Sequence, residues 1–220
     1  MFEKVYHHPL HNPGLFWAMG VPFALYLLSR LRRGERPPFV TGWFLFFQLE
    51  ILLDAGLQGE LTPLTGGLLQ AVSILLVVSG DLRFLLLLVW QRRGQPTLGR
   101  WAAVAVVWSL FVPIASFVVA RPIANGQPRA LFLIYEAMFA SMALALAVHG
   151  AQRPVQNATD RWLRRLIAFE VVQYTLWACA DVIILSGHDL GYLVRLIPNT
   201  LYYAAFMPFA WFTAPAEVRA

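Results

Sequence analysis

The chain has 220 residues, of which 59% are apolar and 13% charged, and its formal net charge is +5. Soluble domains carry about 25% charged residues, so a water-exposed globule with a polar coat is excluded. The single cysteine, Cys179, excludes an internal disulfide and a Cys-rich metal site; inside an apolar run it reads as a small buried hydrophobe.

The apolar residues form long runs, each near the ~20 residues that span the hydrocarbon of a bilayer. The first predicted span, 13–28, ends in Arg30, Arg32, Arg33 and Arg36. The second covers 39–57. The third, 64–90, is longer than needed, which predicts tilt, and it is followed by Arg92 and Arg93. The fourth covers 101–120 and the fifth 130–148. A polar loop with Arg153, Arg161, Arg164 and Arg165 precedes the sixth, 166–185. The seventh covers 193–212. Pro113, Pro198 and Pro208 predict kinks. The expected fold is an all-α, seven-helix integral membrane protein, one polytopic domain over 1–220 with no room for a separate soluble domain. No internal repeat is evident: the two acids of the second span lie four residues apart, those of the sixth eleven apart.

Charge placement sets direction. The loops after spans one, three and five, with the C-terminus, hold twelve arginines: 30, 32, 33, 36, 92, 93, 100, 153, 161, 164, 165 and 219. The other side holds Lys4, Arg121 and Arg129. This positive-inside asymmetry predicts an outer N-terminus and a cytoplasmic C-terminus. Trp43, Trp90, Trp101 and Trp162 fall near the predicted interfaces. No basic n-region precedes the first run, and four arginines follow it, so it reads as a retained span rather than a cleaved signal. Asn157-Ala158-Thr159 matches a glycosylation acceptor but falls in a predicted cytoplasmic loop. Because the positive charge sits in short loops, with no basic face, nucleic acid is not an expected partner. One lysine against sixteen arginines is the mark of a GC-rich genome; the expected location is the inner membrane of a prokaryote. No predicted span carries a lysine, which excludes a retinal Schiff base.

Six acids fall at membrane depth: Glu50, Asp54, Asp81, Glu136, Glu170 and Asp181. Only two basic residues, Arg83 and Arg195, fall beside them. Each buried charge costs about 2.5–3.5 kcal/mol on insertion scales, so some acids must be protonated, hydrated or bound to an outside cation. At 100° per residue, Glu50 and Asp54 share a face with Trp43 and Phe47. Glu170, Gln173, Trp177 and Asp181 form one stripe, and Arg195, Asn199, Tyr202 and Phe206 another. Such lines are expected to face the protein interior.

Depth sorts the groups. Asp54, Asp181 and Arg195 lie roughly 6–8 Å from the outer ends, Glu136 roughly 10 Å, and Glu50 and Asn199 roughly 12–14 Å. These six are expected to meet in one outward-facing cavity. Asp81, Arg83 and Glu170 form an inner polar layer, in which Arg83 either pairs with Glu170 or snorkels. Asp54 and Asp181, near helix ends, read equally well as wet surface acids, and Glu136 with Arg195 as a structural ion pair. His7, His8 and His11 read as an incidental terminal cluster. No intramembrane histidine cluster, nucleophile pairing or glycine-rich phosphate loop is present, so no metal and no cofactor is expected.

Asp81-Leu82-Arg83, and Pro198-Asn199 followed by Tyr202, resemble G-protein-coupled receptor signatures, but those receptors carry Asn before Pro and adjacent Asp-Arg. The layout is similar to that of the membrane-bound terpene cyclases, which are small, of about seven helices, with an acid in the second and another in a late helix. That likeness rests on the positions of Glu50 and Asp181 and on no motif, and no family is assigned on it.

Two functional classes survive. One is an acid–base enzyme acting on a lipid or isoprenoid. Glu50 donates a proton, Asp54 or Asp181 takes one back, and Trp177 and Tyr202, with Glu136, Arg195 and Asn199, hold the substrate. The other is a proton- or cation-coupled transporter or channel using the same carboxylates. A ligand-sensing membrane protein is a weaker third. The expected partners are bilayer lipids and a small hydrophobic or cationic ligand; the sequence leaves the oligomeric state open.

Overall fold

A computed structural model describes residues 1–35, 38–58, 62–93, 98–123 and 127–219. Arg36 lies outside the described residues, as do the side chains of Trp90, Arg92, Arg93, Arg100, Trp101 and Arg121. The elements are α1 (Phe2–Tyr6), a π-helical turn (Leu10–Leu15), α2 (Phe16–Arg32), α3 (Pro38–Gln58), α4 (Gly66–Arg93), α5 (Leu98–Ile123), α6 (Pro128–Ala151), α7 (Ala158–Leu185), α8 (Leu190–Thr200), a second π-helical turn (Leu201–Ala205), α9 (Phe206–Thr213) and α10 (Ala216–Arg219). Among the described residues there is no strand. In hydrocarbon a segment must satisfy its own backbone, which leaves an apolar run the helix as its solution.

Five segments are long and apolar enough to cross a membrane among the described residues: Leu10–Arg32, Phe39–Leu57, Ala102–Val119, Arg129–Ala151 and Ala158–Leu185. They coincide with predicted spans one, two, four, five and six. The third predicted span is the helix α4, several of whose side chains lie outside the described set. The seventh is helical throughout but is not one uninterrupted α-helix. α8 contains Pro198 and gives way to the π-helical turn before α9, because proline withholds a backbone donor and crowds the preceding turn. α5 runs through Pro113 without a break.

The sixth helix begins eight residues earlier than expected. Asn157 caps α7, its side chain accepting from the Asp160 amide at 2.8 Å, so Arg161, Arg164 and Arg165 are helical rather than loop. An N-cap asparagine satisfies an orphan amide, which gives Asn157 a local structural role.

The chain divides into two compact units. Unit 1 holds Met1, Glu3–Val77 and Asn199–Ala220; unit 2 holds Phe2 and Val78–Pro198. In unit 1, α2 lies close against α3. A Cβ on Gly20 would meet Gln48 Nε2 and Leu52 Cδ2 at 2.8 Å, and one on Gly56 would meet the Trp17 ring at 2.8 Å. Small residues at helix crossings permit this approach. The Trp17 indole then donates to the Leu52 carbonyl at 2.8 Å. Trp211 is buried, with Phe44 edge-on at 5.1 Å and the Arg30 guanidinium 5.4 Å from its ring.

In unit 2, α6 packs along α7, and α5 along α6. Phe139 stacks on Tyr174 at 4.2 Å, and Trp162 is buried. α5 carries exposed Val107, Trp108, Phe111, Ile114, Phe117 and Val118. An apolar face of this kind is untenable in water and ordinary against lipid. Cys179 is exposed too, so the expectation of a buried thiol is wrong: it lies across α7 from the buried stripe, about 200° from both Trp177 and Asp181.

Candidate functional site

The buried stripe of α7 is as the 3.6-residue period requires: Glu170, Gln173, Trp177 and Asp181 are all buried. Three polar groupings follow, one in unit 1 and two in unit 2.

The first grouping of unit 2 is a four-membered ion-pair network. Arg195 Nη1 bonds Asp181 Oδ1 and lies 3.1 Å from Glu136 Oε1. Arg129 Nη1 reaches the same Asp181 oxygen at 3.1 Å, and its guanidinium sits 5.5 Å from the Tyr192 ring. Asp181 is 0% exposed, so its reading as a wet helix-end acid is wrong. The Glu136–Arg195 pair is as the sequence suggests. Sequence reasoning misses Arg129 by assigning it to an outer loop; as the second residue of α6, its long side chain extends to α7. Two cations now face two anions, which removes the local charge excess.

The second grouping centres on Asp81, also buried. Tyr174 donates to its Oδ1 and Tyr135 to its Oδ2, each at 2.5 Å. Neither tyrosine is singled out by the sequence. The available signal is spacing: Tyr135 adjoins Glu136, and Tyr174 lies one turn beyond Glu170. Phe139 and Trp177 continue the aromatic wall, Trp177 edge-on to Tyr174 at 5.2 Å. Glu170 is buried and receives the Gln173 amide at 3.4 Å. Arg83 is 1% exposed; snorkelling is therefore excluded. No ion pair joins it to Glu170 among the described residues.

The third grouping lies in unit 1 and contains the acids of α3. Glu50 has both carboxylate oxygens buried. One turn away, Asp54 is 2% exposed and hydrogen-bonds the Tyr203 hydroxyl, so it is not a wet helix-end acid either. Tyr203 stacks on Phe16 at 4.7 Å and meets Tyr202 edge-on at the same distance. Trp43 and Phe47 are in ring contact at 4.7 Å, in keeping with their shared face. Asn199 donates to the Tyr6 hydroxyl at 3.4 Å. His11, incidental in the sequence reading, is buried: Nδ1 donates to the Tyr6 carbonyl at 2.9 Å and the ring lies edge-on to Phe16 at 5.0 Å. A groove of about 480 Å³ is lined by Trp17, Val21, Leu52, Leu53, Gly56, Leu57 and Pro63. Leu53 and Leu57 share the helical stripe of Glu50, one and two turns beyond it.

No protein family matches the chain, and comparisons with curated proteins and with solved structures give no match. The chemistry must therefore be read from the groupings themselves. Of the six residues expected in one outer cavity, Glu136, Asp181 and Arg195 meet in unit 2, while Glu50, Asp54 and Asn199 belong to unit 1.

Proposed function

We propose that the chain is a seven-span inner-membrane protein of a prokaryote, with an outer N-terminus, and that it performs acid–base chemistry on a lipid or isoprenoid. Twelve arginines against three basic residues support the direction. The five membrane-length segments, with α4 and the α8–α9 stretch, support the count.

The observation that carries the chemistry is Glu50, a carboxyl with both oxygens buried on an apolar helix, one turn from an apolar groove. Such a group is best held neutral and is then a proton donor in a dry site. Glu50 protonates a substrate double bond, and the new C–H bond forms as the Glu50 O–H bond breaks. Aromatic faces such as Tyr202 and Trp43 steady the carbocation. Asp54, one turn along α3 and oriented by Tyr203, removes a proton from a neighbouring carbon, so the product is an isomer of the substrate. Asp181 suits this acceptor role less well, because two guanidiniums hold one of its oxygens.

The test is deuterium incorporation. Purified protein in D2O, mixed with isoprenoid alcohols, isoprenoid diphosphates and a total lipid extract, is expected to produce a species with a carbon-bound deuterium. Glu50→Gln is expected to lower that rate about 10²–10⁴-fold. An E50Q rate equal to wild type sinks the proposal.

A second reading, proton- or cation-coupled transport, is favoured by the Asp81–Tyr135–Tyr174 grouping, since polar groups buried at membrane depth mark ion paths. A Glu50-dependent proton flux in sealed liposomes, with no deuterated lipid formed, selects it.

A further inference from the structure

Asp81, Arg83 and Glu170 are all at least 97% buried in unit 2, and the mechanism above uses none of them. They set a charge problem. Two acids lie within electrostatic range of one guanidinium: Arg83 and Asp81 are the charged groups that act on Glu170, and Arg83 acts on Asp81 as well. α6 contributes the Tyr135 hydroxyl to this neighbourhood, and α7 contributes Gln173 and Tyr174. Among the described residues, three full charges buried in this way hold one more anion than cation, and that is costly.

The two acids differ in the donors around them. Each oxygen of Asp81 accepts a phenolic hydrogen at 2.5 Å. A hydroxyl donor at each oxygen stabilises a carboxylate, because hydrogen bonds to an ionised acceptor are the stronger ones. Glu170 has the opposite surroundings. Its hydrogen bond is the Gln173 amide at 3.4 Å, beyond the usual range for N–H···O, and no ion pair engages it among the described residues.

We infer that Glu170 is a proton-binding site: Asp81, with a hydroxyl donor at each oxygen, is the standing anion, and Glu170, which lacks such donors among the described residues, carries a proton. The ligand is a single proton, taken up as Glu170–COO⁻ plus H⁺ gives Glu170–COOH with no other bond changed. The site is independent of Glu50 and stands if the Glu50 chemistry fails.

Infrared spectroscopy reads this directly. Protein synthesised cell-free, with and without carboxyl-¹³C glutamate, is compared with Glu170→Gln at pH 7 in lipid nanodiscs. The wild-type-minus-E170Q difference is expected to contain a neutral-acid C=O band that moves when glutamate is labelled. A lost band that does not move places the proton on an aspartate and overturns the inference, as does a difference with no neutral-acid band. The amide reproduces the shape and neutrality of a protonated glutamate, so an E170Q protein that fails to fold also counts against it. Asp81→Asn leaves Arg83 with one acid. Glu170 is then expected to release its proton and lose the same band; a band that persists in D81N overturns the sharing of Arg83.

Discussion

Asp181 and Asp81 are both buried to within 1% in unit 2, and their surroundings share almost nothing. Asp181 is held by Arg195 and Arg129, with Glu136 joined to the same Arg195. Asp81 is held by the two tyrosine hydroxyls, with its cation, Arg83, acting through space. A guanidinium supplies full charge compensation, so the first arrangement is neutral and locked. Hydroxyls supply direction and partial charge, so the second keeps its negative charge and depends on a cation that a further acid, Glu170, also feels. The first is built as a strut, the second as a place where a proton can come and go.

The sharpest way to break this comparison is to remove the shared cation of the strut. Arg195→Met leaves Glu136 and Asp181 facing each other with Arg129 alone, and Arg129 is a quarter exposed. Breaking a buried pair from one side costs about 3–5 kcal/mol. Thermal denaturation in detergent is expected to show this as the largest loss of any single substitution considered. Replacing Arg195, Asp181 and Glu136 together with apolar residues of similar volume is expected to recover much of it. An R195M protein as stable as wild type would mean that the network is not a strut, and the contrast with Asp81 would collapse.

The hydroxyl clamp is expected to be weaker and shared. Tyr174→Phe and Tyr135→Phe each remove one bond to a charged acceptor, worth about 1.5–3 kcal/mol. Because both hydroxyls serve one carboxylate, the double variant is expected to depart from additivity by more than ~0.5 kcal/mol. Additive losses would show that the two tyrosines act separately, and the argument for a two-sided carboxylate would lose its basis.

Membrane class, five of the helices and the inward polar stripes are legible in the sequence, because lipid imposes a length on an apolar run and a side on a polar residue. Partners across helices are not. Arg129 directly follows Gly126, Gln127 and Pro128 in the chain, and periodicity alone places it in an outer loop. Only its position at the start of α6, with a side chain long enough to reach α7, makes it the second cation of Asp181. Tyr135 and Tyr174 are separated by 39 residues and by 54 and 93 from Asp81, and nothing local announces their convergence. His11 escapes sequence reasoning for a similar reason: its partners, the Tyr6 carbonyl and the Phe16 ring, exist only once the turn after α1 has folded back. Exposure at Cys179 follows from the same periodicity, which its apolar neighbours mask: the thiol lies about 200° from Trp177 and Asp181, so it faces away from the inward polar stripe.

That last point yields the smallest expected effect and a test of the lipid-facing surface. Cys179 is the one cysteine of the chain and is exposed on α7, so it accepts a spin label without any other substitution. Cys179→Ala is expected to change stability by less than about 0.5 kcal/mol, as for a surface position. A nitroxide on Cys179 in nanodiscs is expected to collide readily with dissolved oxygen, which partitions into hydrocarbon, and rarely with a charged nickel chelate, which does not. A nitroxide at Asp181, two residues on and about 200° around the helix, is expected to be screened from both, provided that variant folds. If the Cys179 label collides mainly with the chelate, this face of α7 looks onto water. The buried polar stripe opposite it would then have to be reassigned, together with the strut and the clamp that depend on it.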